Sequence, residues 1–132
     1  MMVTRVNPPG LARPSGFSHA VVAEGSRVVF LSGQTGMDAT GGIVGGGLVA
    51  QFEQALANLL AALEAAGGRP EQLASLTVYI VDMDDYRARA RDVGAVWRRL
   101  VGRDYPAMAG IGVARLWDAE AVVELQGAAV LP

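Results

Sequence analysis

Residues 48–81 read LVAQFEQALANLLAALEAAGGRPEQLASLTVYIV, a helix pattern followed by a strand pattern. Apolar residues recur in the first part at spacings of three and four, at Val49, Phe52, Leu56, Leu59, Leu60 and Leu63. Gly67-Gly68 and then Pro70 stop this pattern. The next stretch is rich in Val, Ile, Tyr and Thr, which favour strands. We therefore predict an amphipathic helix that begins at Leu48 and a strand over Leu73–Val81.

Strand patterns and a glycine-rich segment precede this helix. Ser18–Ala23 and Arg27–Leu31 are rich in β-branched residues and are joined by Glu24-Gly25-Ser26, which predicts a hairpin. Residues 33–47 contain seven glycines, too many for regular structure, and predict a loop. The loop lacks the Lys-Ser/Thr pair of a phosphate-binding P-loop, so we do not expect a nucleotide site. A further short strand is possible at Thr4–Val6.

The second half of the chain predicts one more helix and two more strands. Asp82 can cap a helix that continues to about Val101. Its buried stripe would be formed by Tyr86, Ala90, Val93, Trp97 and Leu100. Strands follow over Ala107–Val113 and Ala121–Val130, with a turn between them.

The order of elements is β-β-α-β-α-β-β and predicts the α/β (α+β) class. We expect one domain over residues 1–132, built as a two-layer sandwich. One mixed sheet of five to six strands would carry two helices on one face. Two helices cover only one face of such a sheet, so the other face needs a partner. The pattern therefore favours an oligomer.

Composition narrows the classes of function. Hydrophobic residues make up 52% of the chain and charged residues 18%, which favours a packed globule. No apolar run approaches the ~20 residues of a membrane span, so we expect a cytoplasmic protein that does not enter the membrane. The chain has no cysteine, and His19 is its single histidine. Disulfides and thiolate catalysis are excluded, and we expect neither a metal nor another cofactor.

A cluster of arginines raises the question of nucleic-acid binding. Five arginines fall in the predicted second helix, at positions 87, 89, 91, 98 and 99. Helical spacing spreads them round several faces, and the formal net charge of the chain is −2. We therefore interpret them as a solvated helix surface and do not expect a nucleic-acid partner.

Alternation within the last two strands identifies candidate pocket residues. Met108, Gly110 and Gly112 share one face of their strand, where small residues leave space beside the backbone. Glu124 and Gln126 share one face of the last strand, so their carboxylate and amide could line a pocket.

Two further polar residues have more than one interpretation. Ser32, at the end of a strand, fits ligand binding and backbone capping equally well. His19 fits a place near a subunit contact better than the role of a catalytic base.

Seven short motifs, taken in order, resemble the RidA/YjgF (reactive intermediate deaminase) family over nearly the whole chain. They are Gly16-Phe-Ser-His-Ala20, Leu31-Ser-Gly-Gln-Thr-Gly36, Gln54-Ala-Leu-Ala-Asn-Leu59, Ala65-Ala-Gly67, Thr77-Val-Tyr79, Asp82-Met-Asp-Asp-Tyr86 and Tyr105-Pro-Ala107. The resemblance implies a chorismate-mutase-like fold. It also implies a homotrimer with three clefts between adjacent subunits, in which a small-molecule ligand would bind.

The resemblance also implies a chemistry, the hydrolysis of enamines and imines to ammonia and a keto acid. Ser32 and Gly33 match the family's site pattern, and Glu124 matches the glutamate thought to hold the attacking water. The family has an arginine directly after Tyr105-Pro-Ala, which clamps the substrate carboxylate, and this chain has Met108 there.

Two other site positions depart from the family pattern. Phe17 replaces a tyrosine, and Ala90 replaces an asparagine on the second helix. Neither Arg115, which has the opposite strand parity to Met108, nor Arg103, in a loop, is an obvious substitute for the missing arginine. We leave open whether His19 or Arg103 takes part in the site.

Two functions are consistent with these residues. The first is an enzyme that hydrolyses an imine or enamine without the usual carboxylate, with Glu124 as general base. The second is a non-catalytic trimer that binds an apolar or aromatic metabolite or assists a pathway partner. In either case we expect the protein to lack ordinary 2-imino acid deaminase activity, because a thioether cannot replace two charge-assisted hydrogen bonds.

Overall fold

Six strands, three α-helices and one turn of 3₁₀ helix form the structure, a computed structural model that describes residues 3–132. The strands are β1 (Val3–Val6), β2 (Ala20–Ala23), β3 (Arg27–Gln34), β4 (Leu73–Ile80), β5 (Ala107–Gly112) and β6 (Val123–Leu131). The helices are α1 (Leu48–Ala65), α2 (Met83–Ala88) and α3 (Ala90–Leu100), and the 3₁₀ turn is Pro70–Gln72. The predicted mixed α+β class is confirmed.

The central sheet has the strand order β3-β6-β4-β5. β6 pairs antiparallel with β3 and β4, whereas β4 and β5 are parallel, so the sheet is mixed. The short strands β1 and β2 pair antiparallel with each other. A bridge between Ser18 and Ala107 joins the segment before β2 to the outer strand β5. The predicted short strand at the N-terminus is therefore present and pairs with β2.

The predicted hairpin between β2 and β3 is wrong. β2 pairs with β1, and β3 pairs with β6, so the two strands do not form a ladder with each other. Gly25 lies against the end of β6, where an added Cβ would overlap the carbonyl oxygen of Leu131. The glycine allows a close approach of two backbones, which the sequence does not distinguish from a hairpin turn.

The predicted second helix is divided into two. Its N-cap is confirmed, because the backbone N–H of Asp85 donates to Oδ1 of Asp82 over 3.0 Å. The chain leaves helical geometry at Arg89, with φ −106° and ψ 13°, and α3 begins at the next residue. Position 89 is neither Gly nor Pro, and the apolar periodicity continues across it, so the sequence carries no signal for this break.

The core lies between the helices and one face of the sheet. α1 contributes Phe52, Leu56, Leu59 and Leu63, and all four are fully buried. The predicted stripe of the second helix is correct at Val93 and Trp97, which are buried, whereas Ala90 is exposed. Within residues 3–132, no helix is both long and apolar enough to cross a membrane.

The opposite face of the sheet is open and partly apolar. Phe30 and Val28 on β3 are 85% and 56% exposed, and Ile111 on β5 is 44% exposed. β3 and β5 are the two outer strands of the central sheet, and large apolar side chains exposed on one face favour contact with another protein surface. This face is the one that the helices do not cover.

The glycine-rich segment is a loop, as predicted, and it is held in place by two polar side chains. The amide of Asn58 on α1 donates to the carbonyl oxygens of Thr35 and Met37, over 3.2 and 2.8 Å. The carboxylate of Asp38 accepts from the hydroxyl and backbone N–H of Thr40 and from the N–H of Gly42. These hydrogen bonds, chiefly from the Thr40 hydroxyl, lower the pKa of Asp38.

Candidate ligand site

A cavity of about 440 Å³ opens between α2, α3, the start of β5 and the segment before β2. This volume lies within the range of ~300–1,000 Å³ that is usual for small-molecule pockets. Its lining includes the aromatic side chains of Phe52, Tyr86, Trp97 and Tyr105, together with Met108. A smaller space of about 190 Å³ is also lined by Tyr86 and Met108. The cavity is therefore mainly apolar and aromatic.

Met108 reaches this cavity because of the register of the parallel strands. It lies beside Leu76 of β4, and Gly110 lies beside Val78. Leu76 and Val78 are buried beneath the helices, so Met108 points to the helix face of the sheet. The predicted alternation of β5 is confirmed by this register, and Met108 packs half-buried against the core.

Tyr105 and Phe17 are brought to the same place by hydrogen bonds of Ser18. The Ser18 hydroxyl donates to the carbonyl oxygen of Tyr105 over 2.7 Å. The backbone N–H of Ser18 donates to the carbonyl oxygen of Pro106 over 3.0 Å. The Tyr105 ring stacks on Trp97 at 5.2 Å between centroids. Phe17, next to Ser18, lines the smaller space beside Met108. The chain before β2 and the chain before β5 therefore form one wall.

Tyr86 is a titratable group of the cavity wall whose pKa is raised. Burial, with a smaller contribution from Tyr105, raises the pKa of Tyr86 to about 12. The hydroxyl is therefore neutral at physiological pH and lies in an apolar wall. It can donate a hydrogen bond to a bound molecule, but it cannot supply a negative charge.

A second cluster of predicted site residues lies on the open face of the sheet. β3 and β6 have a register shift between Leu31 and Gln34, and Ser32 and Gly33 fall inside it. A Cβ added to Gly33 would overlap Oε2 of Glu124, so the carboxylate lies directly against the glycine backbone. The hydroxyl of Tyr79 donates to Oε1 of Gln126 over 3.1 Å.

The two clusters lie on opposite faces of the same sheet. Glu124 alternates along β6 with Val123 and Leu125, which are fully buried beneath the helices. Met108 pairs with Leu76 of β4, so its side chain points to the same buried face of the sheet. Within one chain the sheet therefore separates Glu124 from the cavity. The structure brings together Phe17, Ala90, Tyr105 and Met108 on one face, and Ser32, Gly33, Glu124 and Gln126 on the other.

A family sequence pattern and solved structures of other proteins match nearly the whole chain. The sequence pattern of the family described as Endoribonuclease L-PSP matches residues 10–131. The chain belongs to the RidA/YjgF family. A crystal structure of a Rid-family protein of unknown function, YyfB from Yersinia pestis, superposes with a TM-score of 0.86. It is 35% identical, and the match covers 99% of this chain and 100% of that one.

Curated relatives of this RidA/YjgF-family chain have two kinds of name. A RutC family protein, UK114 of Drosophila melanogaster, is 36% identical over 83% of this chain and 75% of its own length. A 2-iminobutanoate/2-iminopropanoate deaminase of Capra hircus is 37% identical over 76% of this chain and 69% of its own length. The structure of RidA from an Antarctic Psychrobacter superposes with a TM-score of 0.71 at 30% identity, covering 91% and 92% of the two chains.

His19 and Arg103, whose part in the site the sequence does not decide, lie outside the lining of the cavity. The Nε2 atom of His19 is 2.7 Å from the carbonyl oxygen of Ala12, and the ring contacts Phe17 edge-on. His19 therefore fixes the N-terminal segment, in line with a structural role. Arg103 is exposed, and neither residue lines the cavity beside Met108.

Two charged residues also line the cavity, and the sequence analysis did not predict them as site residues. Arg91 and Arg98 on α3 lie at the cavity, although they were interpreted as part of a solvated surface. Both are exposed, so that interpretation is correct for much of each side chain. Arg98 follows the buried Trp97 directly, and Arg91 lies three residues before Gly94, so the helical spacing could have placed both at the edge of the buried stripe.

Within residues 3–132, no group of three or more His, Asp or Glu side chains could hold a metal ion.

Proposed function

We propose that this RidA-family protein is a homotrimer that binds a small molecule between subunits and hydrolyses an enamine or imine other than an ordinary 2-imino acid. The observation that carries the proposal is Met108, which lines the cavity at the family's arginine position. Two curated relatives that are 37% and 31% identical to this chain are named 2-iminobutanoate/2-iminopropanoate deaminases. Their name supports the reaction class, and Met108 argues against their substrates.

A trimer would solve the separation of the two clusters. The open sheet face has exposed apolar side chains at Val28 and Phe30 beside the polar cluster of Glu124 and Gln126. If this face packs on a neighbouring subunit, Glu124 of one chain can approach the cavity beside Met108 of the next. Association would also remove Phe30 from water, which is a favourable contribution to binding. The site would then be complete only in the assembly.

Glu124 would supply the chemistry as a general base. Its carboxylate takes a proton from water while the water oxygen adds to the imine carbon. Glu124 passes this proton to the nitrogen, the hydroxyl of the resulting carbinolamine gives up the second proton to it, and the carbon–nitrogen bond breaks, so that ammonia leaves and a carbonyl remains. Gly33 leaves space for this carboxylate beside the backbone of β3, because any side chain at position 33 would overlap it.

Met108 would exclude substrates that depend on a carboxylate at the reacting carbon. Two charge-assisted hydrogen bonds from an arginine fork orient such a group, and a thioether offers neither donor. A misplaced substrate loses the alignment of water, imine carbon and base, and with it much of the rate. The neighbouring lining is aromatic instead, at Tyr86, Trp97 and Tyr105.

An ammonia-release assay tests this proposal. An amino-acid oxidase generates 2-iminopropanoate in place, and the unmodified protein is compared with Met108→Arg. We expect no acceleration by the unmodified protein and a gain in the variant. For an aromatic imine without a carboxylate, we expect activity in the unmodified protein that Glu124→Gln removes. Strong activity of the unmodified protein on 2-iminopropanoate would refute the substrate assignment. Absence of any imine hydrolysis would favour the non-catalytic binding trimer.

A further inference from the structure

Two arginines belong to the lining of the cavity. Arg91 and Arg98 belong to α3, whereas Met108 belongs to β5. The cavity therefore lacks an arginine on β5 but has two arginines on α3. They approach the same space from a different direction, and a bound molecule would meet them at a different point.

Neither arginine is engaged within the part of the chain that the structure describes. The four ion pairs among residues 3–132 use other arginines, at positions 5, 69, 89 and 99. No side-chain hydrogen bond of residues 3–132 uses the guanidinium of Arg91 or of Arg98. Two like charges close to one cavity raise its potential and favour an anion there.

The guanidinium of Arg98 lies beside Gly94 on the helix face that lines the cavity. Positions 91, 94 and 98 follow the i, i+3, i+7 spacing of one helix face. A Cβ added to Gly94 would lie 3.3 Å from Nη1 of Arg98, so the guanidinium lies across the glycine. Gly94 itself lines the cavity. An alanine at position 94 would require the end of the Arg98 side chain to shift by a few tenths of an ångström.

We propose that this cavity binds an aromatic monocarboxylate, with its carboxylate on Arg91 and Arg98 and its ring against the wall formed by Tyr86, Tyr105 and Met108. The inference rests on the proposed function, because it names the ligand class of the same site. It differs from a 2-imino acid site in one respect. In a 2-imino acid the carboxylate is bonded to the imine carbon, whereas here the anion is held by side chains of α3 and not by a residue of β5.

The test compares phenylacetate with phenylacetamide, a neutral molecule of nearly the same shape. Binding to the complete protein is measured by calorimetry or by chemical-shift titration. Phenylacetate should bind, and Arg91→Gln/Arg98→Gln should weaken binding at least about tenfold, because a single hydrogen bond to a charged group already contributes about this factor. Arg87→Gln on α2, outside the cavity lining, is the matched control and should leave the affinity unchanged.

Several outcomes would overturn the inference. These are equal affinity for the acid and the amide, an unchanged affinity in the double variant, or an equal loss in the Arg87 control. Circular dichroism verifies that the exposed substitutions leave the fold intact. The failure of the proposed function is distinguishable, because arginine-dependent binding of phenylacetate can persist in a protein that hydrolyses no imine. Imine hydrolysis without arginine-dependent binding would contradict this inference alone.

Discussion

Gly25 and Gly33 show how differently two glycines act at the level of single residues. An added Cβ at Gly25 would meet the backbone of Leu131, which cannot move without disturbing β6. At Gly33 the obstacle is the carboxylate end of Glu124, which can rotate away. A steric conflict therefore affects stability at the first position and the geometry of the site at the second.

Alanine substitutions separate these two effects. Gly25→Ala should lower the free energy of unfolding by more than about 2 kcal/mol, because backbone must shift. Gly33→Ala should change it by less than about 1 kcal/mol and still displace Glu124, so imine hydrolysis falls. Chemical denaturation and the ammonia assay measure the two quantities. A strongly destabilised Gly33→Ala variant, or one with full activity, would contradict this account.

The buried Tyr86 makes the stability of the folded protein depend on pH, with a predictable sign. Its pKa rises from 10.0 in the unfolded chain to about 12 in the folded protein, mainly through burial. Below pH 10 both states hold the proton, and its contribution to stability is complete. Between pH 10 and 12 the unfolded state loses the proton first, so stability falls by about 2 kcal/mol.

Denaturation curves at pH 9 and pH 12 measure this fall. Tyr86→Phe should reduce it, because the substituted side chain has no proton to lose. Tyr79→Phe, on the open face, is the control and should retain most of the fall. The assignment would be wrong if Tyr86→Phe left the pH dependence unchanged.

At the level of elements, hydrophobic periodicity gave α1, β4, β5 and β6 close to their observed bounds. Periodicity works there because each element buries one face, or one stripe, against the same core. It did not give the pairing of β2, because strand partners are chosen by distant parts of the chain. The break at Arg89 was missed for a similar reason, since no local residue requires it.

The site was predictable only in part for the same reason. Alternation placed Met108 and Glu124 correctly on their strands, because a strand's period is fixed by the backbone. It did not relate the faces of β5 and β6, which depends on the register of both strands with β4. Arg91 and Arg98 were missed because a cavity wall is formed by several elements, and one helix pattern does not show it.

The N-cap of α2 is a local feature whose contribution can be measured directly. Asp82→Ala removes the carboxylate that accepts the N–H of Asp85, and stability should fall by about 1 kcal/mol. Asp84→Ala is the matched control, since Asp84 lies in the first turn without capping it, and it should lower stability by less than about 0.5 kcal/mol. Thermal or chemical denaturation gives both values, and equal effects would contradict the capping role.

At the level of the whole molecule, the open sheet face should hold the subunits together. Phe30, 85% exposed in the single chain, lies on this face. Phe30→Asp places a charge in the expected contact and should convert trimers to monomers in light scattering. Ala61→Asp, on the exposed side of α1, is the control and should remain trimeric. A monomeric unmodified protein at micromolar concentration would rule out the assembly.

The most direct test of a site shared between subunits uses the absence of cysteine from this chain. In Met108→Cys/Glu124→Cys, the sheet separates the two thiols of one chain, so a short bismaleimide can join only thiols of different chains. Each single variant is the control. We predict covalent trimers on a denaturing gel for the double variant and not for the single variants. A double variant that remains monomeric on the gel, with both thiols accessible to the reagent, would contradict the account.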